Sequence, residues 1–325
     1  MALPQLFRLF SFGAGKEEKM GKYLIKRLAI GIVTLFALAT IVFLLMHAIP
    51  NSLFSGATDN LPAGVREELT EHYALDEPIH IQYVKFLGNA VRGDFGMSLY
   101  RRGRSVSDIV LSGLSNTARL GIVAFCIALS VGILLGTAAA FSKQRWVNRM
   151  ATLIATIGVG VPSFLLAMLM MVLFGVILHW LPVVGLTSWK HYIIPSIALA
   201  RAPLAMISRL TKASLTEVMK QDYMMLAKSK GTDQLRLIIR HALKNALPPV
   251  ITYAGSLLAI LMTGSFVIET LFSIQGIGAE FVASVINRDY TMIMALTILY
   301  GGFFILCNTA ADLITAFLDP RIKLK

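Results

Sequence analysis

The sequence predicts an all-α integral membrane protein with six transmembrane helices. Three observations carry this. Of 325 residues 56% are hydrophobic and only 15% charged. The mean hydropathy is +0.70. The apolar residues gather into six stretches near the twenty residues that cross a hydrocarbon core. A soluble fold of this size has no interior large enough for that much apolar side chain. No ten-residue alternating segments point to a barrel, and only helices or barrels satisfy the backbone in lipid.

In chain order the spans are about 28–48, 117–141, 151–178, 192–210, 247–272 and 292–318. Lys22, Lys26 and Arg27 open the first and Pro50 closes it. Pro162 interrupts the third. The fourth is the weakest, with Pro195, Arg201 and Pro203 inside it. Asn308 and Asp312 lie near the end of the sixth. Residues 1–20 read as a cytoplasmic tail, because the short apolar patch Ala2 to Phe12 has no cleavage-like site after it. Residues 21–325 form one six-span domain.

The net charge of +12 would suggest nucleic acid in a soluble protein. Its distribution suggests otherwise. With the N-terminus inside, segments 1–27, 142–150, 208–246 and 319–325 carry 20 of the 30 Lys and Arg and 6 of the 18 acids. Segments 49–119, 179–191 and 273–291 carry 9 basic and 10 acidic residues. The positive-inside rule then places both termini in the cytoplasm and removes the case for nucleic acid. Cys126 and Cys307 sit in apolar runs and read as packing residues.

Two loops are long. In the outer loop, 49–116, Asn60-Leu61-Pro62 opens a helix over Ala63 to Tyr73, and Leu75-Asp76-Glu77-Pro78 stops it. Ile79 to Val91 reads as a second helix, Gly93-Asp94-Phe95-Gly96 as a turn, and Ser105 to Asp108 as the lead into the second span. In the inner loop, 211–246, Thr211 to Gly231 reads as helix. Asp222 can cap a short second helix, Lys228 and Lys230 suit its last turn, and Gly231 fits a left-handed stop. Thr232 or Asp233 can cap the next helix. Such a loop can lie on anionic headgroups or dock a partner.

Charged and kink-forming residues inside spans are candidates for a translocation path. Arg201 can meet a cargo carboxylate or pair with an acid on another helix. Glu269 lies near the outer end of its span, where it can also be wet or capping. Asp312 suits a structural bond. Pro162 and Pro203 can line a path or merely kink. Gly132 and Gly136 form a small-xxx-small face suited to close packing. No H-E-x-x-H, G-x-S-x-G or phosphate-loop pattern is present, so neither a hydrolase nor an ATPase site is read in this chain.

The run Asp222-Tyr223-Met224-Met225-Leu226-Ala227-Lys228-Ser229-Lys230-Gly231, followed by Arg240 to Pro248, resembles the cytoplasmic loop of ABC-transporter permeases, most of all the oligopeptide and dipeptide importers. That family's E-A-A-x-x-x-G pattern falls on Met225, Leu226, Ala227 and Gly231; only Ala227 and Gly231 match. Gly93-Asp94-Phe95-Gly96-Met97-Ser98, Pro162-Ser163-Phe164, His179 to Pro182, Ile268 to Ser273, Gly276-Ile277-Gly278, Arg288-Asp289-Tyr290 and Asp319-Pro320-Arg321 are similar to further family motifs. Pro50-Asn51-Ser52 and Leu75 to Pro78 resemble the oligopeptide permease B-type subunit, while Gln275 departs from the usual proline.

The resemblance covers the chain from Met20 and implies a type I ABC importer permease fold in a bacterial inner membrane. It also implies a non-catalytic subunit without a cofactor, paired with a second homologous permease. Two cytoplasmic ATPases would bind ATP and Mg, and an extracytoplasmic peptide-binding protein would deliver cargo. Asp222, Tyr223, Leu226, Ala227, Lys230 and Gly231 would form the ATPase-coupling helix. Thr211 to Gly231 would act as a rigid lever, with Ala227 small enough for the partner to approach. Pro162, Arg201 and Glu269 would line the path. The alternatives are the same permease carrying dipeptide, glutathione or nickel chelate, and more distantly a secondary carrier.

Overall fold

The computed structural model describes residues 14–49, 63–101, 103–142 and 144–318. The readings placed on 1–13, on Pro50-Asn51-Ser52, on Asn60-Leu61-Pro62 and on Asp319-Pro320-Arg321 lie outside the described residues.

The regular elements of the described residues are all helices, with one isolated bridge between Met97 and Ser105. Four helical stretches are long and apolar enough to cross a membrane: Ile25–Ala48, Val106–Phe141, Trp189–Val218 and Tyr290–Thr315. A fifth arises if Gln234–Ala246 and Pro248–Met262, bent by 59° at their junction, count as one. The six expected spans are therefore represented unequally. Two of them are broken helices.

Helix α1 (Ala14–Ala48) turns a stripe of Ala39, Val42, Phe43 and Met46 inward, while Ile30, Ile32, Val33 and Phe36 stay exposed. This is the i, i+3, i+4, i+7 stripe of a helix with one packed face. The stripe packs on the outer cap, which consists of α2 (Ala63–Tyr73) and α3 (Ile79–Arg92). Leu69, Tyr73 and Phe86 supply the cap's buried side. Gln82 ties the pieces together. Its amide donates to the carbonyls of Leu75 and Glu77, and its oxygen pairs with Nε2 of His47 at 3.0 Å. Tyr73 donates its hydroxyl to the Phe95 carbonyl at 2.9 Å, and burial holds that phenol protonated far above its ordinary range.

Helix α4 (Val106–Phe141) starts well before the expected Thr117. Ser105 caps it by accepting from the Asp108 amide at 3.1 Å. Its 36 residues span about 54 Å, more than the roughly 30 Å hydrocarbon core. The extra turns are polar, so a hydrophobicity count misses them, yet Val106 and Ile109 there are buried.

The third expected span is two helices, α5 (Arg145–Gly160) and α6 (Ser163–Met170), the latter continuing as a π-helical turn over Met171–Ile177. They meet at Pro162, which cannot donate a backbone hydrogen bond. Helix α7 (Ile193–Val218) follows a short 3-10 turn at Trp189–Tyr192 and carries Pro203 inside it without ending. It runs past the expected limit of 210 because Thr211 and Leu215 are buried against its neighbours. It lies very close to α4: a β-carbon on Gly136 would sit 2.6 Å from the Ser208 carbonyl oxygen. The small-xxx-small face at Gly132 and Gly136 is thus a close-approach seam.

The stretch Thr211 to Gly231, read as helix with a short second helix from Asp222, divides in two. The chain turns at 219–221 and restarts as α8 (Asp222–Ser229). Helix α9 covers Gln234–Ala246, largely in π-helical form, and α10 covers Pro248–Met262. The fifth span also breaks: after Met262 the chain turns through Gly264, with φ +80°, into α11 (Phe266–Leu271). The segment 273–291, read as plain loop, contains the apolar helix α12 (Ile277–Ile286), too short to register as a span. Helix α13 (Tyr290–Leu318) closes the described chain. Arg27 pairs with Asp312 at 2.5 Å, and Ser256 donates to Asn308 at 2.7 Å, so Asp312 and Asn308 both serve helix packing.

Candidate functional site

The inner loop builds a small platform. Helix α8 presents two faces. Met224 is buried, and Tyr223 and Ala227 turn half inward against Leu215, Leu237, Ala242 and Ala246. Asp222, Met225, Leu226, Lys228, Lys230 and Gly231 face out. Met225 and Leu226 are 56% and 58% exposed, and on α9 Leu235 and Ile239 are 65% and 60% exposed. An apolar patch therefore sits among cations. Of the six residues assigned to coupling, four lie on this surface, while Tyr223 and Ala227 belong mainly to the chain's own packing. Ala227 is half-buried beside the cluster of Leu215, Met224, Leu237, Ala242 and Ala246. Met225, Leu235 and Ile239 are the surface residues missed. Leu235 and Ile239 are spaced i, i+4 on α9, and Met225 adjoins Leu226 on α8.

The ends of α8 follow from its residues. Gln221 stands at the cap position, not Asp222; Asp222 occupies the first turn, where its charge faces the positive end of the helix dipole. Gly231 adopts φ +74°, with its amide donating to the Lys228 carbonyl at 3.0 Å and the Thr232 amide to Ala227 at 3.3 Å. That pair of bonds is a Schellman stop. Of the two candidate caps for α9, Asp233 acts, accepting from the Leu235 amide at 3.1 Å.

The three path candidates do not converge. Pro162 and Arg201 belong to one place. Arg201 donates Nη1 to the Gly158 carbonyl, in the last turn of α5, so the cation sits on the carbonyl end of the broken helix. Its Nε is buried without a hydrogen-bond partner, and no carboxylate pairs with it among the described residues. The acid expected on another helix is not among these.

Glu269 lies elsewhere and is fully buried. It accepts from Thr117 Oγ1 at 2.9 Å and from the Ala279 amide at 2.7 Å. Thr117 in turn accepts from the Ile277 amide at 2.9 Å. One carboxylate thus stitches α4, α11 and α12, and β-carbons at Gly264 or Gly276 would collide with it. Its side chain is buried, and within this chain Glu269 braces three helices.

A second knot lies nearby. Asp289 accepts from the hydroxyls of Ser98 and Thr291 and from the amides of Leu99, Tyr100 and Met292. Arg101 clamps Glu280 through two bonds at 2.9 and 2.6 Å. The two motifs Gly93 to Ser98 and Arg288 to Tyr290 are therefore halves of one latch.

The fold and platform define a polytopic helical membrane protein with a short helix on one loop whose outer face is exposed. Residues 132–324 match the family described as binding-protein-dependent transport system inner membrane component, and residues 20–104 match its N-terminal region. The chain belongs to this family. It is 40% identical over 305 residues to the dipeptide transport system permease protein DppB of Bacillus subtilis, covering 94% of this chain and 99% of that one. It is 39% identical over 306 residues to the oligopeptide transport system permease protein OppB of Escherichia coli K12, covering 94% and 100%. It is 38% identical over 309 residues to the glutathione transport system permease protein GsiC of Escherichia coli, again covering 94% and 100%. Among solved structures, the inward-facing MetNI methionine ABC transporter matches with a TM-score of 0.51 at 20% identity, over 65% of this chain and 96% of that one. That likeness concerns the fold.

Proposed function

We propose that this chain is the permease subunit of an ATP-driven importer of oligopeptides. The observation that carries the reading is α8: an apolar outer face, ringed by Lys228 and Lys230, at the foot of the long helix α7. In this reading the face docks an ATPase subunit. ATP and Mg are bound by two such cytoplasmic subunits, since no phosphate loop is read in this sequence. A second homologous permease completes the path, and an extracytoplasmic binding protein delivers the cargo. Both termini lie in the cytoplasm, as the basic residues favour. The relatives' names support peptide-like cargo, because dipeptide, oligopeptide and glutathione permeases are all 38–40% identical to this chain. The same figures keep dipeptide and glutathione cargo as the second reading, with nickel chelate resting on the sequence resemblance alone.

Closure of the ATPases would move α8, and the turn at 219–221 would hand that motion to α7. Arg201, held beside the break at Pro162, is the path candidate that retains an unused donor for a carboxylate. The test is uptake of labelled peptides of graded length by the reconstituted complex with ATP inside the vesicles. Gly231→Asp is expected to leave ATP hydrolysis running while uptake falls. Normal uptake by that variant refutes the docking role, and uptake by this chain without ATPases refutes the importer class. Uptake confined to dipeptides or glutathione moves the cargo to the second reading.

A further inference from the structure

Where the outer half of α4 faces the start of α7, the two helices leave an open groove of about 780 Å³. Its walls include Arg119, Ile122 and Ile127 on α4, and Trp189, Tyr192 and Ile197 at the entry to α7. The residues are ordered along the helix. Arg119 stands at the end nearer the cap, and the apolar wall continues to Ile127, about 12 Å along the axis. Thr187 and Ser188 also lie at the wall, while the rest is almost wholly apolar. Arg119 is exposed and has no carboxylate partner among the described residues. Trp189, 71% exposed, is the side chain expected where hydrocarbon meets headgroup.

We infer that this groove binds one anionic phospholipid of the leaflet on the cap side, its phosphate on Arg119 and an acyl chain along Ile122, Ile127 and Ile197. The shape of the site is that of an amphiphile, with one cationic pole and one apolar channel. A guanidinium matches a phosphate through paired donors. No carboxylate lines the groove to receive an ammonium headgroup, which favours a headgroup of net negative charge. A peptide fits poorly, because the channel leaves most backbone amide and carbonyl groups unpaired, at a cost for each. The inference does not depend on which cargo the transporter carries.

The experiment uses the full chain, extracted together with the subunits that copurify with it, and native mass spectrometry in detergent. The probes are palmitoyl-oleoyl phosphatidylglycerol and palmitoyl-oleoyl phosphatidylcholine at equal concentration. The expected result is retention of one phosphatidylglycerol, and about tenfold less retention in Arg119→Gln, the order of a lost charge-assisted contact. Arg119→Lys should recover part of it. Val123→Trp, which fills the channel and leaves Arg119 in place, should also release the lipid. Equal retention by the wild type and both loss variants overturns the site. So does equal retention of the two lipids, or crosslinking from a cysteine placed at 123 to another permease or to a labelled tripeptide. Thermal unfolding of each variant separates loss of lipid from loss of fold.

Discussion

The two ends of this chain are held together by different physics. At the cap end, an apolar core is pinned by buried polar groups. Asp289 gathers five donors, Glu269 joins three helices and Arg101 clamps Glu280. At the α8 end, a small apolar cluster of Leu215, Met224, Leu237, Ala242 and Ala246 does the fixing, and apolar side chains remain uncovered beside it. Buried hydrogen-bond networks specify one geometry, since a small shift orphans several groups at once. Apolar contacts tolerate sliding. The cap end is thus closed by its own contacts, while the α8 end leaves apolar side chains uncovered.

Substitutions can break this contrast, the strongest at the cap end. Asp289→Ala leaves five donors without their acceptor and should destabilise by about 3–5 kcal/mol, the range for breaking a buried charged network. Thermal unfolding of the detergent-solubilised chain measures it, and a loss below about 1 kcal/mol would dissolve the contrast. Met224→Ala removes the central side chain of the inner cluster and should cost about 2–4 kcal/mol, by lost transfer energy and a cavity. A pair of glycines sharpens the comparison. Gly276→Ala drives a methyl into Glu269 and Thr117 and should cost about 1–3 kcal/mol. Gly231→Ala meets nothing within 4 Å and pays only for its φ of +74°, about 1 kcal/mol. If the two unfold alike, the cap end is not the more tightly specified. Leu226→Ser should change stability of the isolated chain by less than about 0.5 kcal/mol. The same variant should abolish ATP-driven uptake by the complex; unchanged uptake would make the exposed patch inert.

Much of this was legible in residues. Composition places the helices in a membrane, and Asn, Pro and Gly punctuation places α2 and α3 almost to the residue. The break at Pro162 is visible as a proline. The break at Gly264 is not, because Thr263, Gly264 and Ser265 sit quietly inside an apolar run. The start of α4 is hidden by polar residues that a helix tolerates when its other face is buried. The platform was legible as a position, since Gly231 and Asp233 announce their own geometry. Which of its side chains face outward was not, because α9 and the end of α7 decide that by packing. The role of Glu269 was out of reach: its partner Thr117 is 152 residues away in sequence, and no local pattern encodes such a meeting.

The unbroken course of α7 has a mechanical consequence. Two of its neighbours are jointed, α5 to α6 at Pro162 and α10 to α11 at Gly264, and a joint absorbs load by bending. Helix α7 is a strut of 26 residues, about 39 Å long, with Pro203 softening it by one hydrogen bond without making a hinge. It is seated tightly against α4 at Gly132 and Gly136 and against α5 at Gly158. A push applied at residues 219–221 therefore reaches Ile193 with little loss, whereas the same push on either jointed neighbour would be spent at its break. Stiffness in this molecule is concentrated in the paired α4 and α7, and of the two it is α7 whose chain runs on directly into the platform.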